Sequence, residues 1–369
     1  KFDYNGTEYT YPDIDLIYWA GGNPFHHHQN LARLRKAWEK PSTVIVNEWC
    51  WNALARHADI ILPCTTTLER QDIGMTPRDP FVISMDKAIE PIGEARNDYD
   101  IFAGIALNMG TKDAFTEGRS AEDWQEWIWE QSRERAAKLN VEMPEYQSFR
   151  KTGFYKSPEL NEDRIFLSDF FNDPDTNPLK TPSGKIEIFS ETIDSFDYDN
   201  CPGHPTWMEP AEWLGAKNKI YPLHLISNQP RTKLHSQMDN GALSSSIKIK
   251  GHQPLEMNPV DAKARGITEG DIVKVFNGRG ACLCGANITN DVMPGVVIIS
   301  TGSWYDPVDP ADANSMCKHG NPNVLSPDIG TSKLGQGPAA HSCLVEIELY
   351  EGPAQNITAF NPPEIIKKK

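Results

Sequence analysis

Three consecutive histidines, His26, His27 and His28, are the most obvious candidate metal ligands in the sequence. Adjacent side chains point about 100° apart on a helix and to opposite sides of a strand, so three neighbouring imidazoles do not easily converge on one ion. Zinc ligands on a helix use a spacing of three or four residues instead. The spacing therefore argues against a metal site at this trio.

The turn before the histidines points to phosphate binding. Gly21-Gly22-Asn23-Pro24 follows an apolar stretch. Glycines let the backbone approach a ligand closely, and proline suits the first turn of a helix. Unpaired N–H groups and the dipole at the start of a helix attract phosphate. The alternative, the more frequent outcome for an isolated Gly-Gly pair, is a plain turn between a strand and a helix.

Two later residues are further candidates for contacts with a nucleotide. Arg70 lies in LERQDIG, after the third predicted strand and near the edge where open α/β sheets bind ligands. Its guanidinium can grip a phosphate, although most loop arginines are simply solvated. Asp100 stands at the start of a predicted helix, where a carboxylate either caps the helix or accepts the paired N–H donors of a guanine. The residue type alone favours the cap.

Further polar and cysteine residues belong to a predicted barrel. The loop NQPRTKLHSQMDN, residues 228–240, is either solvated or binds a polar, phosphorylated ligand. Cys282 and Cys284 face the same side of a predicted strand, but no second pair with zinc-finger spacing accompanies them. That pattern favours small core residues. The sequence contains no GxSxG, HExxH, Walker A or EF-hand motif, so no self-contained catalytic apparatus is visible.

Strands and helices alternate over the first hundred residues. Segments 15–20, 43–47 and 59–62 are short and rich in isoleucine and valine, which predicts parallel strands buried on both faces. Leu31, Leu34 and Trp38 recur at helical spacing between the first two strands. This pattern predicts an α/β domain with a parallel sheet.

Helices, a connection and a barrel follow. Helices are predicted at 98–109 and at about 121–139, the second capped by Ser120 with Asp123 three residues later. The stretch after residue 140 predicts a long connection with one hairpin-like unit, TPSGKIEIFS. YPLHLIS, DIVKVF, ACLCGANIT and GVVIIS, separated by turn residues, predict barrel strands. The predicted units are residues 1–140 (α/β domain), 141–218 (connection), 219–355 (barrel) and 356–369 (tail).

Composition excludes some function classes. The formal net charge of −15 argues against a nucleic-acid-binding surface, which needs clustered Lys and Arg. No apolar run is long enough to span a membrane. The seven scattered cysteines do not indicate a disulfide scaffold or a compartment. Because the chain starts at Lys1 in polar sequence, we expect it to be a fragment or a processed product.

Seven long stretches of the sequence are informative when they are taken together. They are YWAGGNPFHHHQNLARLRKAW, TVIVNEWCWNALARHADIILPCTTTLERQDIG, TPSGKIEIFSETI, RTKLHSQMDN, NPVDAKARGITEGDIVKVFNGRG, GVVIISTGSWYDP and KHGNPNVLSPDIGTSKLGQG. Together they resemble the C-terminal half of the molybdopterin oxidoreductases, and in particular the dimethyl sulfoxide, trimethylamine N-oxide and biotin sulfoxide reductase group. The similarity extends over nearly the whole chain in the order of the family.

The resemblance implies a cofactor and its binding residues. It implies molybdenum bis(molybdopterin guanine dinucleotide), held between α/β domains and a C-terminal six-stranded double-psi β-barrel. Asn228-Gln229 replaces the His-Pro that is common in the family, and the resemblance implies Asn321 as a neighbour of the site. The implied cofactor-binding residues are Gly22, Asn23, His27, Arg70, Asp100, Arg231, His235, Ser236, Gln237, Asn323 and Gln336.

The resemblance also implies a function. The expected activity is removal of an oxygen atom from an S-oxide or N-oxide, with an electron-donor protein as partner. The molybdenum ligand and the catalytic residues belong to the N-terminal half of such enzymes, so this chain alone is expected to be inactive. The group favours the bacterial periplasm over the cytoplasm. The alternative is a non-catalytic nucleotide-binding or interaction module, since both domain types also occur without redox chemistry.

Overall fold

A computed structural model describes residues 1–158 and 165–366. The last three residues of the predicted tail therefore lie outside the described residues. The strands are β1 (Phe2–Tyr4), β2 (Thr7–Tyr9), β3 (Leu16–Ala20), β4 (Thr43–Glu48), β5 (Ile60–Pro63), β6 (Asp72–Met75), β7 (Phe81–Met85), β8 (Phe154–Lys156), β9 (Leu223–Ile226), β10 (Pro254–Met257), β11 (Ile272–Asn277), β12 (Gly280–Ile288), β13 (Val296–Ile298) and β14 (Leu344–Leu349).

The helices in the described part of the chain are short, apart from two. They are α1 (Pro24–His27), α2 (Leu31–Trp38), α3 (Ala53–Arg56), α4 (Asp98–Asn108), α5 (Lys112–Thr116), α6 (Ala121–Ala137), α7 (Tyr146–Thr152), α8 (Ser168–Asn172), α9 (Glu191–Asp194), α10 (Ala242–Ser246) and α11 (Pro259–Ala264). None of these helices is long and apolar enough to cross a membrane.

The predicted parallel sheet is confirmed. β3, β4 and β5 pair in parallel, and their bounds differ by one residue from the expectation. The central strand β4 buries Val44 and Val46, whereas Leu16 on the edge strand β3 is 52% exposed. Burial on both faces therefore holds only for the central strand, because an edge strand has a neighbour on one side alone.

The glycine turn opens a helix of one turn, and the helix predicted from Leu31, Leu34 and Trp38 is a separate element. α1 ends at His27, and α2 begins at Leu31. Between them Asn30 adopts a left-handed conformation, with φ of +50°, which interrupts an α-helix. The Asn30 N–H donates to Ser326 O, and its side chain donates to Asp328. Tertiary hydrogen bonds of Asn30 thus separate α1 from α2, and the helix predicted from the spacing of Leu31, Leu34 and Trp38 is confirmed.

Sheet β6-β7-β8 is antiparallel and was not predicted. β8 comes from the predicted connection and pairs with β7. Trp129 on α6 stacks on Phe149 of α7, with ring centroids 3.8 Å apart, and both side chains are buried. α6 begins with the predicted capping box of Ser120 and Asp123. The connection thus contributes a strand and a helix to a second small core. The predicted domain limits stay a prediction.

The predicted hairpin at residues 181–190 is wrong. Leu179 N–H donates to Gly184 O, and Gly184 N–H donates to Thr181 O, so a turn forms there. No paired strands flank it among the described residues. Ile186 and Ile188 are 69% and 81% exposed, so no apolar surface supports an alternating strand.

The predicted six-stranded β-barrel is confirmed. It closes in the order β10-β12-β11-β14-β9-β13, with the pairs β10–β12 and β13–β9 parallel and the others antiparallel. The four strands expected from the sequence are present, and β10 and β14 complete the barrel. Cys282 and Cys284 are fully buried on β12, so their interpretation as small core residues is confirmed.

One apolar core joins the parallel sheet to the barrel. Phe25 and Val46 belong to the same buried cluster as Leu225 and Val275. Because the cluster is continuous, the glycine turn after β3 and the loop after β9 are held in a fixed relation. This packing brings two distant candidate segments of the sequence together.

Candidate cofactor-binding site

The glycine turn after β3 presents unpaired donors. Gly21 and Gly22 have φ of +77° and +74°, a region that favours glycine. Asn23 caps α1, where its Oδ1 accepts a hydrogen bond from Phe25 N–H at 3.0 Å. Asn23 Nδ2 and Trp19 Nε1 are buried without a partner among the described residues. A helix of one turn has a weak dipole, so these side-chain donors are the stronger attraction for an acceptor group.

The three histidines do not share one environment. His26 is buried, whereas His27 and His28 are exposed, so the imidazoles diverge. The His27 ring lies 3.3 Å from the position that a Gly22 Cβ would occupy. Partial burial, together with the proximity of His235, lowers the pKa of His27. His27 of the α/β part therefore lies close to His235 of the barrel part. No group of three metal-ligand side chains converges within residues 1–158 and 165–366.

The segment 231–240, here called the recognition loop, is fixed mainly through its backbone. Trp304 Nε1 donates to Ser236 O at 2.9 Å. His235 has a φ of +50°, and a Cβ on Gly302 would lie only 1.8 Å from His235 O. Arg231 and Gln237 are exposed. The backbone is therefore held tightly while polar side chains stay available for a ligand.

A buried charge cluster lies beneath the recognition loop. The side chains of Lys233 and Lys248, here called the lysine pair, bind Asp239 Oδ1 at 2.5 and 3.0 Å. Asp239 Oδ2 accepts a hydrogen bond from Trp304 N–H at 3.1 Å. Burial alone would raise the pKa of Asp239, but Lys248, His319 and Lys233 lower it to about 2. Asp239 is therefore ionised at neutral pH.

Two buried imidazoles adjoin this cluster. His319 Nδ1 donates to Trp304 O at 2.9 Å and lies 3.9 Å from Asp239 Oδ2. His26 stacks on the Trp304 ring with centroids 6.2 Å apart. Burial lowers the pKa of each imidazole to about 3, against the opposing effect of Asp239. Both imidazoles are therefore neutral at pH 7, and His319 Nε2 and both His26 nitrogens lack partners among the described residues.

Sequence reasoning missed most of this cluster. Lys233 and Asp239 lie within the polar loop quoted above, but neither was singled out, because a loop lysine is usually exposed. Lys248 stands in a stretch without a motif, and His319 lies in the quoted stretch KHGNPNVLSPDIGTSKLGQG but was not singled out there. For His26 the sequence offers one indication of burial, namely that it directly follows the apolar residue Phe25. Only the packing of the barrel shows that these groups meet.

Asn321 and Asn323 brace the glycine turn from the barrel side. Asn321 Nδ2 donates to Phe25 O at 3.1 Å, and Asn323 Nδ2 donates to His26 O at 2.9 Å. Both asparagines are buried. The structure thus brings Asn323 to the backbone of α1, where its amide nitrogen is already used in the hydrogen bond to His26 O. Gln336 lies in an exposed loop and donates to Ser332 O and Lys333 O, so the hydrogen bonds of its amide nitrogen stabilise the loop to which it belongs.

Arg70 and Asp100 occupy the edge of the α/β part. Arg70 Nη1 donates to Thr65 O at 3.0 Å, and Thr65 Oγ1 donates to Asn97 Oδ1. Asn97 Nδ2 in turn donates to Asp100 Oδ2 at 3.1 Å. Arg70 lines a cavity of about 470 Å³, and Asp100 lines another of about 570 Å³. A short chain of hydrogen bonds therefore links the two predicted residues.

The interpretation of Asp100 as a helix cap is wrong. Asn97 holds the N-cap position of α4, without a side-chain cap hydrogen bond, and Asp100 lies three residues further on. Its carboxylate is exposed and faces the larger cavity. An acidic residue in the first turn still interacts favourably with the helix dipole. The guanine interpretation is untested and stays a prediction.

Two family models match the chain. Residues 6–108 match the molybdopterin oxidoreductase family, and residues 223–344 match the molydopterin dinucleotide binding domain. Acetylene hydratase from Pelobacter acetylenicus has a similar structure, with a TM-score of 0.71 at 19% identity over 94% of this chain and 45% of the other. At this identity the likeness shows the fold alone. The chain belongs to the molybdopterin oxidoreductases, as its sequence motifs indicated.

The curated proteins that the chain resembles include reductases of S-oxides and N-oxides. The chain is 46% identical over 99% of its length to a dimethyl sulfoxide/trimethylamine N-oxide reductase of Cereibacter sphaeroides. It is 44% identical over 96% of its length to a biotin sulfoxide reductase of the same organism, and 42% identical over 99% to a trimethylamine-N-oxide reductase of Haemophilus influenzae. It spans 45 to 47% of the length of these relatives and aligns with their C-terminal part.

The residues of the site fit a pterin dinucleotide. Asn23 Nδ2 and Trp19 Nε1 offer buried donors at a turn that glycines keep open. The recognition loop offers imidazole, hydroxyl and guanidinium groups, and Asp100 offers an acceptor. These types match the amide, phosphate and guanine groups of such a ligand. The expected cofactor class, a molybdopterin dinucleotide, is confirmed at the level of the family.

Proposed function

We propose that this chain is the C-terminal part of a molybdenum bis(molybdopterin guanine dinucleotide) reductase that removes an oxygen atom from S-oxides or N-oxides. The observation that carries the proposal is joint occurrence: one chain contains both cofactor-binding domains in family order. It also shares 40 to 46% identity along nearly its whole length with reductases of these substrates. A binding module without redox chemistry would need only one of the two domains.

The residues of this chain hold the cofactor in the proposed arrangement. When bound, the molybdenum cofactor supplies the two-electron chemistry that accepts the oxygen atom of the substrate. Gly22, Asn23 and His27 would meet it after β3, and Arg70 would bind phosphate through its guanidinium. Asp100 would accept hydrogen bonds from guanine. On the barrel side, the contacts would come from Arg231, His235, Ser236, Gln237, Asn323 and Gln336.

Catalysis needs more than this chain in our proposal. The chain spans less than half the length of the reductases it resembles. We therefore propose that it is inactive alone and works with the N-terminal half of the same enzyme and an electron-donor protein, in the bacterial periplasm.

Metal and nucleotide analysis tests the proposal. The intact parent protein, purified after anaerobic expression, should contain molybdenum together with guanine nucleotide. It should oxidise a reduced dye with dimethyl sulfoxide or trimethylamine N-oxide, whereas residues 1–369 alone should not. A parent free of molybdenum and guanine would overturn the proposed function and favour a binding module. Dye oxidation by residues 1–369 alone would overturn the claim of inactivity.

A further inference from the structure

The lysine pair carries more positive charge than its carboxylate balances. The side chains of Lys233, Lys248 and Asp239 are 1%, 4% and 0% exposed. Two ammonium groups share one oxygen of Asp239, and the other oxygen accepts a neutral backbone N–H. His26 and His319, the adjoining imidazoles, are neutral at pH 7. Burial and the neighbouring Lys233 lower the pKa of Lys248, against the opposing effect of Asp239. With both ammonium groups protonated, this buried region has an excess of one positive charge.

A second buried carboxylate shows the same excess. Asp306 is 1% exposed, and Lys318 and Arg56 approach its Oδ1 at 3.6 and 3.9 Å. Two buried carboxylates are thus each approached by two cations, although the whole chain carries a formal charge of −15. Burying uncompensated charge is unfavourable. The excess is therefore expected to serve an anionic group that binds nearby.

The lysine pair adjoins both segments that we propose for cofactor binding. Lys233 belongs to the recognition loop and precedes His235 by two residues. His26, which senses the charges of both Asp239 and Lys233, precedes His27. Thr232 Oγ1 and His319 Nε2 are buried there without a partner in the described part of the chain. The Lys248 ammonium also sits 5.9 Å from the centroid of the Phe360 ring, which keeps it in place.

We propose that the lysine pair is an electrostatic element of the cofactor site, whose excess charge favours the reduced form of the bound molybdenum cofactor and so raises its midpoint potential. The inference rests on the proposed function. Reduction adds negative charge, and a buried cation stabilises that charge more strongly than an exposed one does, because the surroundings are less polarisable than water. Lys233, Lys248 and Asp239 are thus positioning and tuning residues, and they do not contact substrate.

A charge series in the purified holoenzyme tests the inference. Lys248→Met removes the excess and leaves Lys233 paired one to one with Asp239. Asp239→Asn increases the excess by one charge, and Lys248→Arg preserves it. A redox titration followed by electron paramagnetic resonance of molybdenum should give a lower midpoint potential for Lys248→Met, a higher one for Asp239→Asn and an unchanged one for Lys248→Arg. We expect about a tenfold change in the redox equilibrium per charge, which is about 59 mV for one electron.

Lys274→Met is the matched control. Lys274 pairs with Glu348 on the outside of the barrel at 2.9 Å and is 34% exposed, so the midpoint potential should not change. A merely structural lysine pair would leave the potential unchanged in Lys248→Met, and that result overturns the inference. If Asp239→Asn does not fold, the difference between Lys248→Met and Lys248→Arg decides. Absence of molybdenum in the wild-type parent overturns the proposed function, whereas molybdenum with an unchanged potential overturns this inference alone.

Discussion

The two sides of the site are built differently. On the barrel side, the recognition loop rests on side chains that are almost fully buried, namely Lys233, Lys248 and Asp239. On the α/β side, Arg70 is 27% exposed, its partner Asp72 is 41% exposed, and Asp100 is exposed. The barrel side is therefore preorganised, and the α/β edge is a solvated surface that a ligand must order.

This difference determines where substitutions act. Buried charges and close backbone contacts support the fold and the loop together, so their loss should affect stability first. Exposed ion pairs contribute little to stability, so their loss should affect ligand binding alone. The following predictions run from the largest expected effect on stability per residue to the smallest.

Asp239→Ala should have the largest effect. It leaves two buried ammonium groups without a carboxylate, which should lower the free energy of unfolding by about 3–5 kcal/mol. Asp72→Ala removes the partner of Arg70 on the exposed edge and should cost less than about 1 kcal/mol. Denaturant unfolding of both variants measures the contrast. Equal losses would show that the two sides are not built differently.

Gly302→Ala should destabilise the recognition loop. The new Cβ would meet His235 O at 1.8 Å, and the φ of +93° is strained for alanine. Overpacking and backbone strain together should cost about 3 kcal/mol. Gly266→Ala in the same barrel has a φ of +64° but no atom within 4 Å, so strain alone should cost about 1 kcal/mol. Thermal unfolding of the two variants tests this, and a larger loss for Gly266→Ala would contradict the close contact.

Mild acid should destabilise the buried side. The pKa of His26 and of His319 is lowered to about 3, so the unfolded chain binds more protons than the folded chain below about pH 6.5. Stability should therefore fall by about 2 kcal/mol per imidazole between pH 6.5 and 5. Asp239 keeps its contribution in this range, because its pKa is about 2.

Unfolding at both pH values, with His26→Gln as the comparison, measures this dependence. The variant should lose at most about a third of it, because burial also lowers the pKa of His57, to about 4, and that imidazole contributes to the same pH range. A stability that stays constant from pH 6.5 to pH 5 in the wild-type chain would show that the imidazoles are not held neutral by burial.

Asp100→Asn should have the smallest effect on stability. The carboxylate is exposed, so the free energy of unfolding should change by less than about 0.5 kcal/mol. If Asp100 holds guanine, loss of its charge should speed release of guanine nucleotide from the holoenzyme by about tenfold or more. Asp113→Asn, at the start of α5, is the control and should leave release unchanged. Equal release in both variants would remove Asp100 from the site.

Periodicity and turn chemistry predicted the local elements well. The isoleucine- and valine-rich runs became β3, β4 and β5, and Ser120 with Asp123 set the start of α6. The hairpin predicted at residues 181–190 was wrong. Alternating apolar and polar residues form a strand only where the apolar side chains pack against another apolar surface. The helical spacing of Leu31, Leu34 and Trp38 became α2, but its separation from α1 depends on Asn30, which bonds to Ser326 and Asp328, far away in the sequence.

The sequence by itself determined the family, the order of its parts and most of the residues proposed for cofactor binding, because motifs and short-range patterns can be recognised directly in the order of the amino acids. Tertiary structure alone decided which of those residues meet. It placed His27 beside His235, Asn323 on the backbone of α1, and Lys233, Lys248 and Asp239 in one buried cluster. The contacts of His27 with His235 and of Asn323 with α1 join segments about two hundred or more residues apart, and no local pattern specifies them. Lys233 and Lys248 lie only six and nine residues from Asp239, but the burial of this cluster depends on packing with Trp304 and His319, which the local sequence does not specify.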